Sequence, residues 1–89
     1  MKVKRNFEEM FKRVCEEFRM HSYEEVNMSD DCKAFESNRG TVYVTKRGDC
    51  VQVFSNFSHD WSAWVFPCRC IMTVLGNSLF YYGEIIYDE

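Results

Sequence analysis

His59-Asp60 is the one adjacent histidine–carboxylate pair in this 89-residue sequence, and with Cys50 or Cys68 it supplies the residue types of a Cys/His/Asp nucleophilic arrangement. Such an arrangement needs one imidazole turned toward both the thiol and the carboxylate. Neighbouring side chains on an extended backbone point to opposite sides, so Asp60 is badly placed to orient His59. His59 is read as a surface-loop histidine. The other nucleophile and phosphate signatures are missing: there is no Gly-x-Ser-x-Gly, no glycine loop of the phosphate-cradling kind and no His-Glu-x-x-His. The expectation is a protein that is not an enzyme.

Metal chemistry fares no better. Cys68-Arg69-Cys70 is the only close cysteine pair, whereas zinc sites favour Cys-x2-Cys pairs or a Cys/His quartet, for which only His21 and His59 are left. On a strand, Cys68 and Cys70 would share one face and behave as small buried hydrophobes. Glu24-Glu25 and Asp30-Asp31 lack the glycine turn around which hard-cation loops distribute their ligands. No metal and no cofactor are expected. The cysteines, Cys15, Cys32, Cys50, Cys68 and Cys70, are odd in number and fit no disulfide framework, which points to a reducing, cytoplasmic setting. No apolar run approaches the ~18 residues of a membrane span, and Met1-Lys2-Val3-Lys4-Arg5-Asn6 leads into charge rather than into a secretion signal.

What the sequence has in surplus is aromatic side chains. Residues 1–50 hold ten basic and ten acidic side chains, while residues 51–89 hold one basic (Arg69) and four acidic (Asp60, Glu84, Asp88, Glu89). Into that second half are crowded Phe54, Phe57, Trp61, Trp64, Phe66, Phe80, Tyr81, Tyr82 and Tyr87, more than one face of a small sheet buries easily. Phe80-Tyr81-Tyr82 must place rings on both faces of a strand. A well-filled core or a homodimer interface would absorb the surplus, because small domains lean on aromatic burial. A protein-binding surface is the functional alternative, with Trp61, Trp64, Tyr81, Tyr82 and Tyr87 as anchors and Glu84, Asp88 and Glu89 as an acidic rim. A second alternative is stacking of single-stranded nucleic acid on Tyr43, Trp61 and Trp64, with Arg39, Lys46, Arg47 and Arg69 at the phosphates. The net charge of -3 and pI near 5.4 weigh against nucleic acid. A third is a metal or redox regulator acting through Cys68 and Cys70.

The elements that must position these residues are marked by periodicity. Phe7, Met10, Phe11, Val14, Cys15 and Phe18 form one continuous helical stripe, opened by an Asn6 cap with Glu9 three residues on. This predicts a helix over about 6–20, followed by a linker over about 21–31 containing at most a helical turn. From Cys32 the period becomes two, and strands are expected at about 32–36, 41–46, 50–55, 61–75 with a break at Pro67, and 79–87. Gly48 serves the turn between the second and third of these, and Gly83 marks a bulge or bend in the last. The prediction is one domain over 1–89, an α+β fold in which the amphipathic helix packs on a four- to five-stranded antiparallel meander.

In size, acidity and the absence of catalytic motifs, the composition resembles that of the small host-takeover proteins of bacteriophages. That resemblance implies a compact inhibitor or modulator working in a host cytoplasm. The residues themselves lead to the same class: a cytosolic, non-enzymatic module whose partner is another protein, with no membrane contact and with nucleic acid as the second choice.

Overall fold

The computed structural model describes residues 2–57 and 70–86. Asn6 caps the helix by accepting a hydrogen bond from the Glu9 backbone N–H, and α1 runs Phe7–Met20 with Glu8 and Glu9 at its positive end. Seven strands accompany it among the described residues: β1 (Lys2–Lys4), β2 (Glu24–Asn27), β3 (Cys32–Ser37), β4 (Gly40–Lys46), β5 (Val51–Ser55), β6 (Cys70–Leu75) and β7 (Ser78–Ile86). The class is α+β, with one helix on an antiparallel sheet larger than the four or five strands expected.

The two extra strands correct the sequence reading. Residues 21–31 are not simply a linker, because Glu24–Asn27 pairs with Cys32–Ser37 over the register Glu24↔Glu36 to Asn27↔Lys33. The sequence Glu-Glu-Val-Asn has little strand propensity of its own. What holds it is tertiary: Glu25 faces the helix and binds Arg19 at 2.8 Å and Lys33 at 3.3 Å. β1 is three residues long, too short for any periodicity, and exists because β7 outruns its other neighbours. The segment expected as a strand from Trp61 through Pro67 lies outside the described residues, and the strand that follows begins at Cys70.

The meander expected of all strands holds for β2 to β5 and then gives way. β7 pairs β5 through Ser78–Tyr81, and β6 lies on the opposite edge of β7. Glu84 is aligned with both Lys4 and Cys70, which places β1 and β6 on different edges of β7. β1 therefore prolongs the line of β5 beside the last strand.

α1 crosses the middle of the sheet, chiefly over β4. Met10, Phe11, Val14, Cys15 and Phe18 meet Phe35, Val42, Val44, Val51, Val53, Leu79 and Tyr81, all of them at most 5% exposed. Alternation along each strand delivers these residues: Val42 and Val44, Val51 and Val53, Leu79 and Tyr81 are each two apart. Phe18 stacks on Phe35 at 5.4 Å and meets Tyr23 edge-on at 5.3 Å.

One irregularity bears on how α1 is fastened. Ile71 is opposite Gly83 and Met72 is opposite Tyr81, so Tyr82 is an extra residue on β7. Such a bulge shifts the alternation by one and turns Glu84 to the helix side, where Arg13 donates to it at 2.6 Å. Gly83 is required beside the bulge, because a Cβ there would lie 2.6 Å from Cγ1 of Val3 and 3.4 Å from the Lys4 carbonyl. Gly83→Ala is expected to displace β1 and destabilise by about 1–3 kcal/mol. Urea unfolding checks this, with hydrogen exchange locating the loss at β1.

Candidate functional site

With α1 on one face, the residues of opposite parity form the outer face of the sheet. Register carries one row across it from edge to edge: Val26, Ala34, Tyr43, Phe54, Ser78 and Leu75. The next row runs Cys32, Thr45, Gln52, Phe80 and Thr73, with Tyr82 beside Phe80. Two ring pairs lie on this face: Tyr43 stacks on Phe54 at 6.4 Å and Phe80 on Tyr82 at 6.5 Å. Phe54 is 39% exposed and Leu75 71%. The sheet thus shows an apolar and aromatic strip on the side the helix does not cover.

Among the described residues, four ion pairs fasten the helix to the other side of the sheet. Arg13 joins Glu9 at 2.7 Å to Glu84 at 2.6 Å, and Lys4 adds a bond to Glu9 at 2.8 Å. Lys46 pairs with Glu8 and with Asp31 at 3.4 Å, and its ammonium stands 5.9 Å from the centre of the Phe11 ring. Arg19 holds Glu25 through two hydrogen bonds of 2.8 Å. On the outer face Glu24 lies opposite Glu36, both exposed, so two like charges face each other across β2 and β3. Arg47 reaches the same face at the far end of β4, donating to Gln52 at 2.7 Å.

The Arg19 guanidinium, followed by Lys33, draws the Glu25 carboxyl from an ordinary 4.5 down to about 2. A depressed carboxylate stabilises the fold above its unfolded value and loses that contribution as pH falls from about 4.5 toward 2. Because the group is solvent-exposed, the contribution is about 0.5–1 kcal/mol. Glu25→Gln is expected to lower Tm by a few degrees at pH 7 and to match the wild type near pH 2, as scanning calorimetry at the two pH values would show.

The residues singled out from the sequence are dispersed. Tyr81 is 1% exposed and belongs to the core, which removes it from any contact surface. Glu84 faces α1 and is engaged by Arg13, so it is no acidic rim. Tyr82 lies on the outer face. Tyr43 does too, whereas Lys46 is on the helix side and committed to Glu8 and Asp31, so these two do not form one nucleic-acid site. Arg39 lies in the β3–β4 turn and, with His21, Ser22, Tyr23, Ser37 and Asn38, lines an open cleft of about 410 Å³. Trp61, Trp64, Arg69, Tyr87, Asp88 and Glu89 fall outside the described residues, as do His59, Asp60 and Cys68.

Of the described cysteines, Cys15 and Cys50 are buried and Cys32 accepts a hydrogen bond from Thr45 Oγ1 at 3.4 Å. Burial pushes the Cys15 thiol up to about 11, and burial, with Asp49 second, also raises Cys50. Both are protonated at neutral pH and poor nucleophiles. Among the described residues no three His, Cys, Asp or Glu side chains cluster as a metal site would require, and no helix is long and apolar enough to cross a membrane.

Sequence reasoning missed Phe54, Phe80 and the whole of β6 as surface. The signal was present in alternation: Val51 and Val53 take the core, which sends Gln52 and Phe54 outward. Comparison with family models, with curated proteins and with solved structures finds no match for this chain.

Proposed function

We propose that the protein is a non-enzymatic interaction module that binds another protein through the outer face of its sheet, acting as an inhibitor or modulator by occupying that protein's surface. The observation that carries this reading is the in-register row from Val26 to Leu75 on the side opposite the helix, in which Val26, Phe54 and Leu75 are exposed and Ala34 is buried between them, with Phe80 and Tyr82 beside it. Aromatic side chains in such a setting contribute contact area at low entropic cost and dominate affinity where they are found in interfaces. Glu24 and Glu36 border the strip, so the matching surface is apolar with a basic side chain that relieves their repulsion. A nucleic acid would meet those acids with its phosphates, and Lys46 is already neutralised on the opposite face.

Affinity capture from cytosol, with and without nuclease, tests the reading by comparing wild type with Phe54→Asp. The expected result is a stoichiometric protein partner that survives nuclease and is weakened by about 30-fold or more in the variant, the mark of a loss of about 2 kcal/mol. Capture that disappears with nuclease, and oligonucleotide binding that falls steeply with salt, would transfer the surface to nucleic acid. Unchanged capture by Phe54→Asp would remove the outer face from the interaction.

A further inference from the structure

The sheet has three edges among the described residues, and they differ in charge. β1 carries Lys2 and Lys4, β2 carries Glu24 and Glu25, and β6, Cys70-Ile-Met-Thr-Val-Leu75, carries none. Charge on an edge strand guards it against pairing with another chain, so two edges are guarded and the third is bare. β6 is also exposed on both of its faces: Ile71 38%, Met72 48%, Val74 49% and Leu75 71%. Met72 and Val74 lie on the helix side, opposite Tyr81 and Leu79, while Thr73 and Leu75 lie on the outer side, opposite Phe80 and Ser78.

We infer that β6 is a self-association edge, pairing antiparallel with β6 of a second copy of this chain about a two-fold axis through Thr73. This goes beyond the interaction reading above and does not depend on it. A two-fold axis perpendicular to the sheet keeps each face on its own side, so paired residues must share parity. Centred on Thr73, the register sets Thr73 against Thr73, Met72 of one copy against Val74 of the other, and Ile71 against Leu75. Every exposed apolar side chain of the strand then meets another, and the central Thr–Thr pair is a favourable cross-strand contact. A second copy suits this edge because self-pairing sets no like charges against each other, whereas the same operation on β1, centred on Val3, would set Lys2 against Lys4. The two sheets become continuous, with both helices on one face and both aromatic strips on the other. A six-residue strand spans about 20 Å, so the interface falls at or below the ~1,200–2,000 Å² of stable complexes, and a micromolar dissociation constant of about 1–100 μM is expected.

Sedimentation equilibrium of the purified chain, from about 1 μM to about 1 mM, reads this directly. The wild type is expected to pass from monomer to dimer. Thr73→Lys sets two ammonium groups against each other on the axis and is expected to remain monomeric with unchanged circular dichroism. The register is tested by mixing. Ile71→Lys and Leu75→Glu are each weakened alone, and together form a 1:1 heterodimer in which the introduced ammonium of one variant faces the introduced carboxylate of the other, while native Leu75 faces native Ile71. A wild type monomeric at every concentration, or a Thr73→Lys variant as dimeric as the wild type, would overturn the edge assignment. A mixture no more associated than its components would overturn the register.

Discussion

Phe18→Ala is expected to lower the stability of this protein by about 3–5 kcal/mol, the range for truncating a buried aromatic. Phe18 is fully buried where α1 meets the sheet, stacked on Phe35 and edge-on to Tyr23. Removing the ring leaves a void bounded by the end of a helix and the middle of β3, and neither can close on it without giving up its own partners. Arg19, the next residue, is held to Glu25 on β2 by two hydrogen bonds, which pins the helix end in place. The void therefore stays open, and the loss belongs at the upper part of the range. Domains of this size have stabilities at the lower end of about 5–15 kcal/mol, so the variant is close to half unfolded at 37 °C. Urea titration followed by circular dichroism measures it: the midpoint should fall with little change in slope. A loss below about 1 kcal/mol would mean that α1 does not pack on β3 through this ring.

Phe18 is identifiable from periodicity alone, because the helical stripe Phe7, Met10, Phe11, Val14, Cys15 and Phe18 has a single face that can be buried. Five of those six residues form the helix side of the core, with Phe7 packed against its margin. The strands β3, β4, β5 and β7 are legible for the same kind of reason, since alternation at period two survives over five residues or more. β1 and β2 are not, because each is a short charged segment whose strand conformation comes from its partner: Val3 lying against Gly83, and Glu25 bridging Arg19 to Lys33. Pairing partners far apart in sequence leave no local trace. Gly83 does leave one, and the bulge lies beside it.

The outer strip is harder to read because a run of aromatics has no parity of its own. Phe80-Tyr81-Tyr82 contains one core ring and two outer ones, and the assignment depends on Leu79 facing Val53 across β5. That is a fact of register. Charges mislead for a related reason. Lys46 and Glu84 are unremarkable letters in a sequence, and only the crossing of α1 over the sheet brings them to Glu8 and Arg13. A basic turn expected to attract phosphate is thus split, with Lys46 closing onto the helix while Arg47 turns to the outer face.

Tyr81 and Tyr82 turn that parity into a second large expected effect. They are neighbours of one residue type on one strand, so local chain propensity is nearly the same at both. Tyr81 is 1% exposed beneath α1, while Tyr82 is half-buried on the outer face against Phe80. Tyr81→Ala is expected to destabilise by about 3–5 kcal/mol, and Tyr82→Ala by about 1 kcal/mol, the difference between opening a core cavity and losing one stacked pair. Binding should invert the order. At temperatures where both variants are folded, Tyr82→Ala is expected to weaken the captured partner tenfold or more, about 1.4 kcal/mol, while Tyr81→Ala keeps wild-type affinity in its folded fraction. Thermal unfolding and titration of the partner against both variants measure the two effects separately. If Tyr81→Ala proved the milder of the two for stability, the parity of β7 would be reversed and the aromatic strip would be the core. If both variants bound like the wild type, the strip would be packing surface, and the interaction would have to be sought elsewhere on the molecule.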